Sequence, residues 1–211
     1  MRVVFRSEPL KRALKWAQRA LFACAIVLLS YCGFALVDAW TFQRRQSRDL
    51  DRLLRDRRVA LQAAPRTESA APPPAAEVVA PDGLIGRIEI PRLLLSVVVI
   101  EGIGRTTLRR AVGHIPGTAL PGHAGNVGLA GHRDTFFRPL KDLRIRDEIL
   151  FSTLQGNFKY IVVSLTIVDP DDVWVLARSR ENVLTLVTCY PFHYIGPAPQ
   201  RWIVRARQVS P

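Results

Sequence analysis

Cys189 is the side chain of this sequence best suited to covalent chemistry. It ends the uncharged, Thr-rich run LTLVTC, and about a dozen residues later Arg201 begins a second apolar run, QRWIVRAR. If the two runs are antiparallel neighbours in a sheet, the end of the first and the start of the second lie at the same edge. Cys189 and Arg201 can then be close together. A small buried thiol and a solvated arginine are the alternatives.

A cysteine nucleophile needs a neighbouring acid or base, because an unperturbed thiol is only a few per cent thiolate at pH 7. Histidine is the usual partner. The sequence offers His114, His123, His132 and His193. We rank His132 first, since it follows the apolar run NVGLAG and begins a loop, where a side chain can face a cleft. His114 and His123 are expected in loops, and His193 can line the cleft.

The region that must position these residues, from Leu84 onward, is predicted to be mainly β. Runs rich in β-branched residues alternate with Gly and Pro, and seven are predicted strands: LIGRIEIP, LSVVVIEG, NVGLAGH, EILFSTL, NFKYIVVSLTIVD, VLTLVTC and QRWIVRAR. Only RTTLRRAVG and RPLKDLR are helical candidates, and both are short. This pattern favours a closed barrel or a sandwich over a doubly wound parallel sheet.

An apolar stretch near the N-terminus is predicted to span a membrane. Residues 20–37, ALFACAIVLLSYCGFALV, carry no charge and reach about 27 Å as a helix, close to the thickness of a bilayer core. Trp16 and Trp40 flank it, and basic residues precede it: Arg2, Arg6, Lys11, Arg12, Lys15 and Arg19. The basic cluster predicts a cytoplasmic N-terminus. The length favours an uncleaved anchor over a cleaved signal peptide or a buried core helix.

Four segments are therefore expected along the chain. Residues 1–19 form a basic cytoplasmic N-terminus, and residues 20–37 form the transmembrane anchor. Residues 38–83 combine a charged amphipathic helix with a Pro/Ala-rich linker. We expect that helix to be a solvated stalk rather than a coiled coil. Residues 84–211 form the globular domain.

Composition excludes several other classes. The net charge is +12, from 30 Lys and Arg against 18 Asp and Glu, but no compact basic stripe stands out, so nucleic acid is not a predicted partner. Cys24 and Cys32 lie in the apolar stretch, so no disulfide framework is expected. The spacing of the histidines and cysteines matches no metal-ligand pattern, and no metal or cofactor is predicted.

Three motifs, taken together, resemble the signatures of the sortase family. TLVTC at Thr185–Cys189 resembles the family's TLxTC motif, and LAGHRDTFF at Leu129–Phe137 resembles its histidine motif. PQRWIV at Pro199–Val204 supplies an arginine in the expected place. GHIPGTALPG and TCYPFHYIGPAPQRWIV look most like the class D branch. The resemblance covers the whole globular part.

The resemblance implies a closed eight-stranded sortase-type β-barrel with short helices, following an N-terminal transmembrane helix. It implies that Cys189 is the nucleophile, that His132 is the general acid, and that Arg201 stabilises the oxyanion and holds the substrate backbone. Thr188 is a candidate substrate-binding residue, or a strand threonine satisfied locally. Asp134 is a candidate to orient the histidine, or a member of a solvated ion pair.

The implied activity is that of a membrane-anchored cysteine transpeptidase. It cleaves an LPxTG-like sorting signal after Thr, forms a thioester, and transfers the protein to an amine of a cell-wall peptide or a pilin lysine. The implied partners are surface proteins with such signals, the amine acceptor and the cell membrane, with the catalytic domain outside the cytoplasm. Two alternatives remain: a cysteine protease or isopeptidase that hydrolyses the same bond, and an inactive binding module.

Overall fold

The long N-terminal helix belongs to two different parts of the molecule. The structure, a computed structural model, describes residues 8–63 and 83–209, so almost all of the predicted Pro/Ala-rich linker lies outside the described residues. Helix α1 runs over Glu8–Ala63. The chain divides after Thr41 into two compact units, the second of which holds the end of α1 together with a β-barrel.

The first unit contains the uncharged stretch of α1. Its apolar side chains are exposed along the helix, as Leu29 is at 72% and Leu36 at 73%. By its length and composition, α1 can cross a membrane. The predicted transmembrane helix therefore exists as a continuous apolar α-helix.

The second unit is built on a closed barrel. Within residues 83–209 eight strands form it, in the spatial order β1-β2-β3-β4-β7-β8-β6-β5. Their bounds are Leu84–Ile90 (β1), Leu95–Glu101 (β2), Val112–His114 (β3), Asn126–Ala130 (β4), Glu148–Thr153 (β5), Gly156–Val168 (β6), Val183–Tyr190 (β7) and Gln200–Val209 (β8). Helix α2, Arg105–Arg110, and 3₁₀ turns at Pro91–Leu93, Arg138–Asp142 and Val173–Leu176 connect them. The predicted eight-stranded barrel is confirmed.

The barrel interior is filled by alternate residues of the strands. An eight-stranded barrel is just wide enough for its own side chains to fill. The inward positions are aliphatic or aromatic and fully buried, as are Ile88, Leu129, Phe151, Leu184 and Val204. The alternation of these residues with outward positions is the period-2 pattern that makes the runs strands.

Strand β7 lies between β4 and β8 and organises the edge that carries the predicted site. It runs parallel to β4 and antiparallel to β8. The end of β7 therefore meets the end of β4 on one side and the start of β8 on the other. Residues from three distant segments of the sequence converge there.

The end of α1 packs against the barrel, where the sequence predicts a solvated stalk. Leu50 is fully buried in a cluster with Leu84 and Val98, and Phe42 packs against the same cluster. The side chain of Gln43 accepts a hydrogen bond from Val98 N at 2.9 Å and donates one to Arg110 O at 2.7 Å. The apolar stripe of this amphipathic segment is thus covered by the barrel wall.

Leu50→Ala is expected to lower the free energy of unfolding by about 2–5 kcal/mol, because it removes buried methyl groups and leaves a cavity between α1 and the barrel. Leu53→Ala is the matched control, since Leu53 is 40% exposed on the same helix. Chemical denaturation of the full chain in detergent, followed by circular dichroism, measures both. Equal effects for the two variants would contradict the packing.

Asp147 is held by Arg92 and is expected to make stability depend on acid pH. Arg92 Nε donates to Asp147 Oδ1 at 2.6 Å, and the backbone N–H of Arg144 donates to Oδ2 at 2.7 Å. The hydrogen bond from Arg92, and then that from Arg144, hold the pKa of Asp147 below its usual value. The stabilisation is therefore complete above the pKa of an unfolded aspartate, about 3.9, and is lost as pH falls through the folded value.

The melting temperature of the wild type should therefore fall more steeply below about pH 4 than that of Asp147→Asn, so that the gap between them narrows in acid. Asp171→Asn is the control for loss of a carboxylate at an exposed position outside the Arg92–Asp147 contact. Thermal unfolding at a series of pH values measures this. A gap of constant size for Asp147→Asn would disprove the linkage.

Candidate active site

Cys189 and Arg201 face each other across two neighbouring strands. In the antiparallel pairing of β7 with β8 they are directly opposed, near the end of β7 and the start of β8. Directly opposed residues in such a pair have Cβ atoms about 4.5–5.5 Å apart. The structure confirms that these two strand ends meet at one edge of the sheet.

Both residues lie on the outer face of the barrel wall. Leu184 and Leu186 of β7 belong to the central core, so the alternation of the strand turns Cys189 outward. Val204 of β8 is also in the core, which likewise turns Arg201 outward. The thiol is free and half-buried. A substrate can therefore approach this pair from outside the barrel.

His132 follows β4, the strand on the opposite side of β7. The parallel pairing of Ala130 with Val187 is extended by a hydrogen bond from Gly131 N to Val187 O at 3.1 Å. His132 and Cys189 each lie two residues beyond that pair, on strands spaced about 4.8 Å apart. The His132 side chain is exposed. The three predicted catalytic residues thus occupy consecutive strand ends.

The guanidinium of Arg201 is held by two backbone carbonyls, one in the β7–β8 loop and one at the start of β8. Its Nη1 donates to Ala198 O at 3.2 Å and to Gln200 O at 3.0 Å. Arg201 is half-buried, and its remaining donors are not used by these bonds. The loop therefore restrains the charge beside Cys189 while leaving donors for a developing oxyanion.

Thr188 lies beneath the site rather than on its surface. It is 2% exposed, and its hydroxyl donates to Gly131 O at 2.7 Å. This bond joins the residue before Cys189 to the residue before His132. The geometry corresponds to the locally satisfied threonine that the sequence left open, and it links the nucleophile and histidine segments directly.

Thr185, the first residue of the TLVTC motif, has a comparable structural contact at the other end of β7. Its hydroxyl donates to Asn126 Oδ1 at 2.6 Å. Asn126 in turn donates to Val175 O at 3.0 Å and to Ala177 O at 3.2 Å. This buried chain fixes the β6–β7 loop against the outer face of β4. Sequence reasoning missed Asn126, because its partners are about fifty residues away.

A cavity of about 410 Å³ opens on this outer face, between the β3–β4 and β6–β7 loops. Gly128 lies close to two of the lining residues, since a Cβ there would lie 2.9 Å from Thr118 and 3.1 Å from Leu176. The cavity is lined by Gly117, Thr118, Ala119, Leu120, His123, Ala124, Gly125, Asn126, Leu176, Arg178 and Ser179. It lies at the start of β4, whereas His132 follows the end of that strand.

The other three histidines occupy different places in the barrel and its loops. His114, expected in a loop, belongs to β3 and is 2% exposed, with Nδ1 2.8 Å from Glu101 Oε2 and Nε2 3.0 Å from Ala119 O. His123 lines the cavity, and His193 is exposed in the β7–β8 loop. His114 therefore anchors the start of the β3–β4 loop.

Asp134 lies beside Arg133, with 3.4 Å between Oδ1 and Nε. Asp134 is 70% exposed, but Arg133 is only 7% exposed, so the pair is not the solvated one that the sequence left open. Within residues 8–63 and 83–209, no group of three or more His, Cys, Asp or Glu side chains could hold a metal ion. The predicted absence of a metal remains a prediction.

Comparison with known proteins places this barrel in one family. Residues 88–209 match the family model described as the Sortase domain. The chain is 36% identical over 126 residues to Sortase D of Bacillus subtilis, covering 59% of this chain and 64% of that protein. It is 35% identical over 123 residues to Sortase SrtE1 of Streptomyces coelicolor, covering 49% of this chain and 35% of that protein.

A solved structure gives the same result. The fold is similar to that of a Clostridium perfringens Sortase D5 transpeptidase, with a TM-score of 0.63 and 25% identity over 81% of this chain and 99% of that one. The chain spans about two thirds or less of the length of the curated relatives it matches. The matched region begins within β1 and contains the rest of the barrel, including the strand ends at which Cys189, His132 and Arg201 lie, and the chain belongs to the sortase family.

Proposed function

We propose that this protein is a membrane-anchored cysteine transpeptidase that recognises an LPxTG-like sorting signal. The observation that carries the proposal is the meeting of Cys189, His132 and Arg201 on three consecutive strand ends of a sortase-family barrel. Cys189 is the nucleophile, His132 the general acid and base, and Arg201 the oxyanion donor. The outer face of β4 and β7 supports binding of an extended peptide.

In the first half of the reaction, the thiolate form of Cys189, paired with His132 in its imidazolium form, attacks the carbonyl carbon of the signal's Thr. The bond to the next residue breaks, and His132 donates a proton to the leaving amine. The enzyme is left with a thioester, and the C-terminal peptide departs. Arg201 donates to the oxyanion of each tetrahedral intermediate. In other enzymes, removal of one oxyanion donor costs roughly 3–4 kcal/mol of transition-state stabilisation.

In the second half, an acceptor amine attacks the thioester carbon. His132 takes the proton of the amine, a new amide bond forms, and Cys189 leaves as the thiolate. Thr188 is proposed to support both halves without contacting substrate, since its hydroxyl is already bonded to Gly131 O. We propose a lysine or cell-wall peptide amine as acceptor, because the family motifs imply transfer.

The full chain in detergent, incubated with a library of LPxTG-like peptides with and without an added amine, tests the proposal by mass spectrometry. We expect cleavage after Thr and a thioester adduct. As the concentration of added amine is raised, an amide product should replace the hydrolysed product. Hydrolysed product alone at saturating amine would favour a protease. Neither cleavage nor an adduct would favour an inactive binding module.

We also propose that residues 20–37 anchor the protein, with its N-terminus in the cytoplasm. The apolar composition of this part of α1 and the preceding basic residues support this topology. With Cys24, Cys32 and Cys189 replaced by alanine, a membrane-impermeant maleimide applied to intact cells should label Gln62→Cys but not Arg12→Cys. Labelling of Arg12→Cys, or of neither variant, would contradict the topology.

A further inference from the structure

Arg133, the residue directly after His132, is a buried cation in a region where most charged side chains are exposed. Its side chain is 7% exposed. A buried guanidinium is stable only where its N–H groups find acceptors, because an unpaired buried charge is costly. The hydrogen-bond acceptors of Arg133 therefore indicate its role.

The acceptors of Arg133 lie in the loop that joins Cys189 to Arg201. Nη1 donates to Pro191 O at 2.9 Å, and Nη2 donates to Tyr194 O at 2.6 Å and to Gly196 O at 3.0 Å. The guanidinium carbon also lies 5.8 Å from the centre of the Tyr194 ring. One side chain thus collects three carbonyls and one aromatic ring from the β7–β8 loop.

These bonds are strong relative to those that the loop makes within itself. The loop's own backbone bond from Tyr194 N to Pro191 O is 3.3 Å long, whereas the bond from Arg133 to Tyr194 O is 2.6 Å. Bonds from a charged donor are also about twice as strong as neutral ones. The conformation of the loop therefore depends on Arg133.

We propose that Arg133 is a positioning residue that fixes the β7–β8 loop, and through it Arg201, relative to His132. The inference rests on the proposed transpeptidase function of this site. Of the two carbonyls that hold the Arg201 guanidinium, Ala198 O lies at the far end of this loop and Gln200 O at the start of β8. A shift of the loop therefore moves the oxyanion donor.

The residues directly before and after His132 are both held by hydrogen bonds to other segments. Gly131 O accepts the hydroxyl of Thr188, which ties one side of the histidine to β7. Arg133 ties the other side to the loop. The histidine segment, the nucleophile strand and the loop thus form one connected unit, and misplacement of catalytic groups by about 1 Å can cost about 100-fold in rate.

The shape of the guanidinium explains why this position requires arginine. Its planar fork can donate hydrogen bonds to several carbonyls at once, whereas a lysine ammonium is a single point charge on a flexible stem. Arg133→Lys should therefore retain the charge but only part of the positioning. Arg133→Met retains similar bulk and removes every donor.

The test uses the full chain in detergent, with Cys24 and Cys32 replaced by alanine so that Cys189 is the reactive thiol. Arg133→Met and Arg133→Lys are compared with the wild type and with Arg138→Met, a control at an exposed arginine of the same segment. All measurements are made at a temperature at which circular dichroism shows each variant to be folded. A role in stability alone would not affect turnover under those conditions.

Three readouts are measured. Chymotryptic cleavage after Tyr194 should become about tenfold faster in Arg133→Met, because the loop opens more often. Turnover number for a sorting-signal peptide should fall about 10- to 100-fold with little change in KM, and Arg133→Lys should be intermediate. The pH profile of Cys189 alkylation should move toward that of His132→Ala. Arg138→Met should match the wild type in all three.

Unchanged cleavage after Tyr194 would overturn the loop contact. Faster cleavage with an unchanged turnover number and an unchanged alkylation profile would show that Arg133 stabilises the loop without positioning the site. If the wild type processes no sorting-signal peptide, the proposed substrate is wrong. The cleavage rate and the alkylation profile still decide the role of Arg133, since neither needs a peptide substrate.

Discussion

Replacing Cys189 with alanine is expected to abolish both cleavage of a sorting-signal peptide and its transfer to an amine. The proposed reaction passes through a bond to Sγ, so the variant loses the whole covalent route rather than one stabilising contact, and the rate should fall by about 10⁴-fold or more. Mass spectrometry of the intact protein tests directly whether an acyl group becomes bonded to Sγ. The wild type should gain the mass of the acyl group, and Cys189→Ala should not.

The chain supplies its own matched control for this experiment. Cys24 and Cys32 are also free thiols, but they lie in the apolar part of α1. Their joint replacement by alanine should leave cleavage, transfer and the acyl adduct unchanged. Retained cleavage and transfer in Cys189→Ala would remove this residue from the chemistry.

The strands were predictable where the sequence alternates over five or more residues. Seven predicted runs correspond to β1, β2 and β4–β8. The eighth strand, β3, was missed because Val112–His114 is too short to establish a period of two. It also follows α2 directly, so RTTLRRAVG was interpreted as a single helical segment, although its helix ends at Arg110.

The predicted catalytic residues differ in how far local sequence could place them. Cys189 and Arg201 are neighbours because one short loop joins their strands, which local reasoning can anticipate. The position of His132 depends on the parallel pairing of β4 with β7, strands separated by about fifty residues. Local sequence only ranks His132 first among four histidines, and its predicted role comes from the family motifs.

The contacts that support the site were not predictable from local patterns. Arg133 looks like an ordinary charged loop residue in sequence, because its acceptors are backbone carbonyls 58 to 63 positions away. Leu50 shows the same limit: its spacing predicts an apolar helix face, but nothing in the sequence says that the barrel covers it. The acceptors of Arg133 and the burial of Leu50 both depend on contacts between segments that are distant in sequence.

Arg201→Met is expected to lower kcat about 10²- to 10³-fold, because it removes the positive donor that stands directly opposite the nucleophile. Arg201→Lys should recover only part of the rate, since an ammonium can supply the charge but not the planar fork. Steady-state kinetics with a sorting-signal peptide measures both variants. Equal falls in kcat and kcat/KM would indicate an interaction made only in the transition state.

Arg205→Met is the matched control, because Arg205 lies on the same face of β8 but opposite Thr185 instead of Cys189. A change of charge on this face alone would affect both variants alike, whereas oxyanion stabilisation requires the position next to the thiol. A higher KM with an unchanged kcat for Arg201→Met would assign this residue to holding the substrate backbone. Near wild-type kinetics would mean that backbone donors stabilise the oxyanion and that the opposition of Arg201 and Cys189 is structural.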